Sequence, residues 1–261
     1  MNLMVTSGHN RSLHTIALLH RLINDGHSVS GVLMVKTFRF KRLKSYWRQY
    51  GMRTIVAKFR SHFLHQGGTY LERETAPIKT YNASNNISST TLKDFCRDNG
   101  IPLIPVDKLS SDVALNACHA VRPGLIIYSG GGIVRQSLID ASEYGVLNAH
   151  SGPLPKIRGM NGIEWSIIKG MEPTTTVHFI DSGIDTGNVV FSEPIPVEDS
   201  DDLYDIRGKA TVHNISLISK IVLDFDTFTP HAKAQKKSEG KQYFVMHDMM
   251  KEVVQQRLGN R

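Results

Sequence analysis

The chain has 261 residues, a formal net charge of +7, 40% hydrophobic residues and 21% charged ones. Such a length and mixture suit a domain with a substantial buried core, and they exclude a disordered, collagenous or fibrous chain. Two cysteines, Cys96 and Cys118, supply neither a disulfide framework nor a zinc cluster, and no apolar run approaches the roughly 20 residues that span a bilayer. The start Met1-Asn2-Leu3-Met4-Val5 is too short, and lacks the basic residues, for a secretory signal, so a cytoplasmic protein with reduced thiols is expected. The charge is concentrated. Residues 36–60 hold nine cations and no Asp or Glu, and the rest of the chain has 22 Lys+Arg against 24 Asp+Glu. An argument for an anionic partner therefore belongs to that one segment.

In chain order, Leu3, Met4 and Val5 begin a short strand that ends at Ser7-Gly8. Leu13, Ile16, Leu19, Leu22 and Ile23 recur at helical spacing until Gly26, and 29–35 reads as a second buried strand. A strand, a Gly-containing turn and a helix open a doubly wound α/β unit. Residues 36 to about 75 are too long for an ordinary connection and read as a basic insertion. Its own helix would carry Leu43, Trp47 and Tyr50 on one stripe. Polar residues 82–89 read as a loop. Alternation then resumes, with a helix at 90–99, a strand at 101–106, a helix at 110–120, a strand at 124–128, a short helix at 136–141 and a strand at 146–150. Two further strands, 174–180 and 189–195, flank a turn at 181–187. A long helix spans 200–225 with Asp201, Asp202 and Asp205 at its start, where the helix dipole favours them. The final 36 residues hold a turn at Pro230, an apolar piece Tyr243-Phe244-Val245 and a polar helix.

The informative stretch is VLNAHSGPLPKIRGMNGIEWSIIKGMEPTTTVHFIDSGIDTGN, residues 146–188. Asn148 and His150 are two apart on a strand, so both side chains point to one side. In an open α/β sheet the carboxyl ends of strands border the ligand crevice. An amide donor beside an imidazole there suits stabilising a developing oxyanion and moving a proton. Alone, the pair fits a structural role as well. Ser7-Gly8-His9-Asn10, in the first strand-to-helix turn, suits a phosphate at a helix N-terminus, or equally a cap of the helix by Ser12. It is neither a Walker nor a GxGxxG loop. The 12 histidines show no metal-ligand spacing.

Asn148-Ala149-His150, Leu154-Pro155, Arg158-Gly159, Trp165, the Thr-rich strand through His178 and Gly183-Ile184-Asp185-Thr186-Gly187 follow in one order. Together they resemble the folate-dependent formyltransferases, a group that includes glycinamide ribonucleotide, methionyl-tRNA and sugar N-formyltransferases. The one departure is His150-Ser151-Gly152-Pro153, where members usually carry His-Pro-Ser. The resemblance implies a Rossmann-like α/β formyltransferase fold with a mostly parallel sheet, the basic insertion and a short C-terminal extension. It implies a catalytic domain over 1–195, with 196–261 as the C-terminal helix and extension. It also implies N10-formyltetrahydrofolate as co-substrate and no metal. Asn148 would donate to the oxyanion. His150 would stabilise it or polarise the formyl oxygen, and Asp185 would orient His150. Gly132, Val134, Ile180 and Asp181 would hold the pterin, largely by backbone. Ser7, Gly8, His9, Asn10 and Arg158 would bind the acceptor. That acceptor is expected to be a phosphorylated amine, a nucleotide-linked amino sugar, because the pattern from Arg158-Gly159 to Trp165 is shared with the sugar branch and only 36 residues follow the long helix. Methionyl-tRNA, hydroxyornithine and glycinamide ribonucleotide are the alternatives, and a non-catalytic basic binding protein is a further one. Nucleic acid and a membrane span are not expected, and the short C-terminal strand would serve a homodimer.

Overall fold

The computed structural model describes residues 1–36 and 67–259, with the side chains of 67–70 excepted. The helix expected around Leu43, Trp47 and Tyr50, and nearly all of the basic segment, lie outside the described residues.

Seven strands form one sheet in the order β3-β2-β1-β4-β5-β7-β8. They are β1 (Asn2–Ser7), β2 (Ser28–Val35), β3 (Leu103–Val106), β4 (Leu125–Ile127), β5 (Val146–His150), β7 (Thr174–Phe179) and β8 (Val189–Pro194). The pairings from β3 across to β5 are parallel, while β5–β7 and β7–β8 are antiparallel. The order reverses between β1 and β4, which is where doubly wound sheets leave a crevice. The expected α/β fold is present. Alternation along β1 explains the two layers. Leu3 and Val5 face one core with α1 (Leu13–Asn24) and Met4 the other, each side chain fully buried. Ser12 caps α1, its hydroxyl accepting from the Thr15 amide at 3.2 Å.

The helix α2 (Gly67–Ser84) corrects two expectations. It runs through the end of the proposed insertion and into the proposed loop at 82–89, and Pro77 lies inside it. Ile78 is 4% exposed in the same core as α1 and Leu217, so burial of one face overrides a weak pattern. The remaining helices are α3 (Leu92–Asp98), α4 (Asp112–Val121), α5 (Gln136–Ile139), α6 (Gly162–Ile168), α7 (Leu203–Leu223), α8 (Phe225–Phe228) and α9 (Asp248–Gly259). Asp202 and Asp205 form a capping box on α7. Ile215, Leu217, Ile218 and Ile221 of α7 pack into the sheet core, while Leu203 and Ile206 join α6 and α9 in a third cluster.

The C-terminal piece also differs from expectation. The strand there is β9 (Lys241–Tyr243), and Phe244 and Val245 are exposed. β9 pairs in parallel with β6 (Ile157–Gly159) of the same chain. One edge of the strand expected to serve a homodimer is thus paired within the chain. Among the described residues no helix is long and apolar enough to cross a membrane.

Candidate active site

The site is assembled where β5 ends and β7 pairs with it. In that antiparallel register Asn148 lies opposite His178, and His150 opposite Thr176. β5 leads into a turn that returns at once as β6, through a cis Leu154–Pro155 bond. Thr176 braces this turn, donating to the Gly152 carbonyl and accepting from the Leu154 amide. The departure at Ser151-Gly152 has a geometric consequence. A Cβ on Gly152 would stand 2.7 Å from His150 Nε2, so the missing side chain makes room for the imidazole.

Asp185 reaches the pair from the loop between β7 and β8. It holds a left-handed φ of 52°, an uncommon backbone state for a residue with a side chain. The Asx turn in that loop belongs to Asp181, whose Oδ1 accepts from the Gly183 amide and the Thr186 hydroxyl. Gly187 packs where a Cβ would overlap the Phe179 carbonyl. Gln235, from the C-terminal segment, donates to the carbonyls of Asp185 and Gly187 at 3.1 and 2.7 Å. With its backbone so fixed, Asp185 is free to aim its carboxylate inward. Oδ2 accepts from the Gly159 amide at 2.8 Å and lies 3.5 Å from His150 Nδ1, while Oδ1 lies 3.5 Å from His178 Nε2.

Hydrogen-bond partners fix the ring states. His150 Nε2 is 2.9 Å from the Ile157 carbonyl, which can only accept, so Nε2 carries the proton and Nδ1 faces Asp185. His178 Nδ1 is 2.8 Å from the Phe179 carbonyl and donates to it. With Nδ1 as the donor, Nε2 can accept from Asn148 Nδ2 at 3.1 Å. That bond orients the Asn148 amide and leaves its second N–H for another acceptor. Burial lowers the His150 pKa, against the raising influence of Asp185. Burial also pushes Asp185 up, but His178 and His150, when the nitrogen facing it carries a proton, and the Gly159 amide more than offset it and hold the carboxyl below its ordinary value. At neutral pH the pair is a neutral imidazole beside a carboxylate, poised to take a proton.

The structure therefore brings Asn148, His150 and Asp185 together and adds His178, a residue of the motif to which the sequence alone assigns no role. Its signal was present, since a polar residue in an apolar-flanked strand matters once that strand is known to pair with β5. The glycine loop after β4 suits a flat polar ring. Gly130, Gly131 and Gly132 all have positive φ, and no described residue accepts from the backbone N–H groups of Gly132, Ile133 or Val134. Val134 and Ile180 supply apolar surface nearby. The Ile180 amide is spent on Val146, and Asp181 on bracing its own loop.

The expected acceptor residues divide. His9 is exposed and Gly8 packs backbone to backbone against the glycine loop. Ser7, however, is fully buried, its hydroxyl donating to the His9 carbonyl and meeting Thr15. Asn10 accepts from the Lys93 amide and so anchors the start of α3. Arg158 is corrected outright. It is 5% exposed, with Nε donating to Gln235 at 3.1 Å and Nη2 to the Lys236 carbonyl at 2.8 Å. It pins the segment that carries Gln235 instead of facing a substrate. Among the described residues no cluster of His, Cys, Asp or Glu could hold a metal.

A Rossmann-like sheet whose crevice gathers an amide, an imidazole and a carboxylate defines a group-transfer or hydrolytic class of site. The chain belongs to the formyl transferase family, whose family model, described as "Formyl transferase", matches residues 48–222. A curated relative, the methionyl-tRNA formyltransferase of Thermodesulfovibrio yellowstonii, is 27% identical over 150 residues, 57% of this chain and 49% of the relative. The chain thus spans about half the length of that relative. Among solved structures, phosphoribosylglycinamide formyltransferase from Streptococcus pneumoniae has a TM-score of 0.55 at 15% identity, covering 86% of this chain and 98% of that one. An N-formyltransferase from Helicobacter canadensis, solved with folinic acid and dTDP-3-aminofucose, has a TM-score of 0.54 at 14% identity, covering 99% and 81%. At such identities these structures show the shared fold.

Proposed function

We propose that this protein transfers a formyl group from N10-formyltetrahydrofolate to the amine of a nucleotide-linked amino sugar. The convergence of Asn148, His150 and Asp185 at the end of β5 carries the chemical part of the reading. In the transfer, the amine nitrogen bonds to the formyl carbon and the bond from that carbon to N10 breaks. Negative charge develops on the formyl oxygen and positive charge on the incoming nitrogen. The free N–H of Asn148 donates to that oxygen. His150 accepts the amine proton at Nδ1, directly or through a water, and becomes a cation beside Asp185. The same proton is delivered to N10 as it leaves. Backbone N–H groups at Gly132 to Val134, with Val134, Ile180 and Asp181 around them, receive the pterin edge. Gly8 and His9, in the first loop, receive the acceptor phosphate in this reading. Residues 1–195 carry this chemistry, and 196–261 supply α7 and the brace at Gln235.

The amino-sugar acceptor is supported by a likeness of fold over nearly the whole chain to the structure holding dTDP-3-aminofucose. Methionyl-tRNA is the second reading, favoured by the curated relative. Burial of both cysteines, which pushes each thiol up to about 11, fits reduced thiols in a cytoplasmic setting. A panel of dTDP-, UDP- and GDP-linked amino sugars is the test, with N10-formyltetrahydrofolate as donor. A product heavier by one CO supports the reading. No turnover on the panel, with formylation of charged initiator tRNA, replaces the acceptor with the second reading.

A further inference from the structure

The segment that follows α8 runs alongside the active site without supplying any of its reacting groups. Lys233 exchanges both backbone hydrogen bonds with Val189, the first residue of β8, at 2.7 and 2.8 Å. Two residues on, Gln235 reaches the loop that carries Asp185, and β9 then pairs with β6. Two glycines mark how closely the segment is seated. A Cβ on Gly240 would overlap the Pro155 carbonyl, and one on Gly159 the Tyr243 carbonyl. The Gly159 amide in turn donates to Asp185 Oδ2, so the segment holds Asp185 both at its backbone and through β6. All of it lies beyond residues 48–222, where the family model matches.

The amide of Gln235 has one possible orientation. A guanidinium only donates, so Arg158 Nε, 3.1 Å away, faces Oε1. Both hydrogens on Nε2 are then directed at the carbonyls of Asp185 and Gly187. Asp185 has a left-handed φ of 52°, a state that persists in a residue with a side chain only where its neighbours hold it. We infer that Gln235 is a positioning residue of the active site. By donating to the Asp185 and Gly187 carbonyls, it keeps the Asp185 carboxylate against His150 Nδ1, and Arg158 fixes which way its amide points. The consequence for rate rests on the formyl-transfer reading, whereas the placement of the carboxylate does not.

Gln235→Glu separates positioning from packing. It keeps an acceptor for Arg158, so the thermal midpoint should be unchanged, but it withdraws both donors from the loop. Positioning predicts a kcat lower by about tenfold to a hundredfold, with KM for N10-formyltetrahydrofolate within about twofold of wild type. Gln235→Met removes the donors without adding charge and serves for a second readout, NMR titration of the histidine-labelled full chain. The His150 resonance is assigned by its loss in His150→Gln. Asp185 from the β7–β8 loop and His178 from β7 are the titratable groups that face His150, and Asp185 raises its pKa. The His150 titration in Gln235→Met should therefore move to lower pH, as in Asp185→Asn. Combined with Asp185→Asn, either change at Gln235 should slow turnover no further, because both act on one interaction. Should Gln235→Met fail to fold, the rate of Gln235→Glu and its non-additivity with Asp185→Asn decide. A Gln235→Glu protein as fast as wild type, an unmoved His150 titration, or a further loss of about tenfold in the double variants overturns the proposal. Absent turnover by the wild type counts against the formyl-transfer reading alone, since the titration needs no substrate.

Discussion

Asn148 and His150 are legible in the sequence because alternation along a strand puts both on one side. Asp185 is legible only through its glycine-flanked motif, since no spacing rule brings a residue 35 positions away to an imidazole. His178 is not legible at all until the β5–β7 register is known. Its role as the acceptor that orients Asn148 follows from the Phe179 carbonyl fixing its tautomer. At this scale, Asn148→Ala should lower kcat by about 10²–10³ with an unchanged unfolding midpoint, because it removes an oxyanion donor. Gly152→Ala should cost about tenfold to a hundredfold in kcat, since its Cβ would push on His150 Nε2. A rate within twofold of wild type in steady-state assays would contradict the packing argument. The pH profile tests the proton account. If neutral His150 accepts the proton, kcat/KM rises with pH through a pKa below the ordinary histidine value. Asp185 raises that pKa, so Asp185→Asn should shift the acid limb to lower pH while reducing the rate. A shift to higher pH, measured from about pH 5 to about pH 8, would contradict it.

Among the elements, strongly periodic ones such as α1 and buried strands such as β4 are readable, because one physical pattern dominates each. Helix α2 escaped because its apolar pattern is weak, Pro77 interrupts it, and its stability comes from packing on α7. That contact sets a prediction. A Cβ on Gly208 would stand 2.7 Å from the Glu74 carbonyl oxygen and 2.8 Å from Pro77 Cγ. Gly208→Ala should therefore destabilise the protein by about 1–3 kcal/mol in urea unfolding, despite the better helix propensity of alanine. Helix α1 carries a second one. Burial lowers His14 to about 4, while its Nδ1 meets the Ser129 hydroxyl. The unfolded chain then binds the proton more readily, so stability contributed above the ordinary histidine pKa is lost as pH falls towards 4. His14→Gln should flatten the loss, by at most about 1.4 kcal/mol per pH unit. An equally steep profile in chemical denaturation would show that His14 is not the group involved.

For the molecule as a whole, the net charge of +7 comes from one segment, residues 36–60, and an anionic partner is argued only there. Of that basic run, Lys36 alone lies among the described residues, 4.0 Å from Asp107. The structure gives the C-terminal segment a task that composition could not reveal. Arg158 pins Gln235, and Gln235 holds the backbone of the loop that presents Asp185. Arg158 was conspicuous in the motif, but its role is structural because its guanidinium is enclosed by chain 77 and 78 residues away. The most direct measurement of the central claim is a single-turnover assay with N10-formyltetrahydrofolate and the nucleotide-linked amino sugars, following product mass in wild type and Asn148→Ala. The account predicts a product heavier by one CO, formed by the wild type and slowed about 10²–10³-fold in the variant. Turnover unaffected by the substitution, or no formyl transfer to any amine, would contradict it.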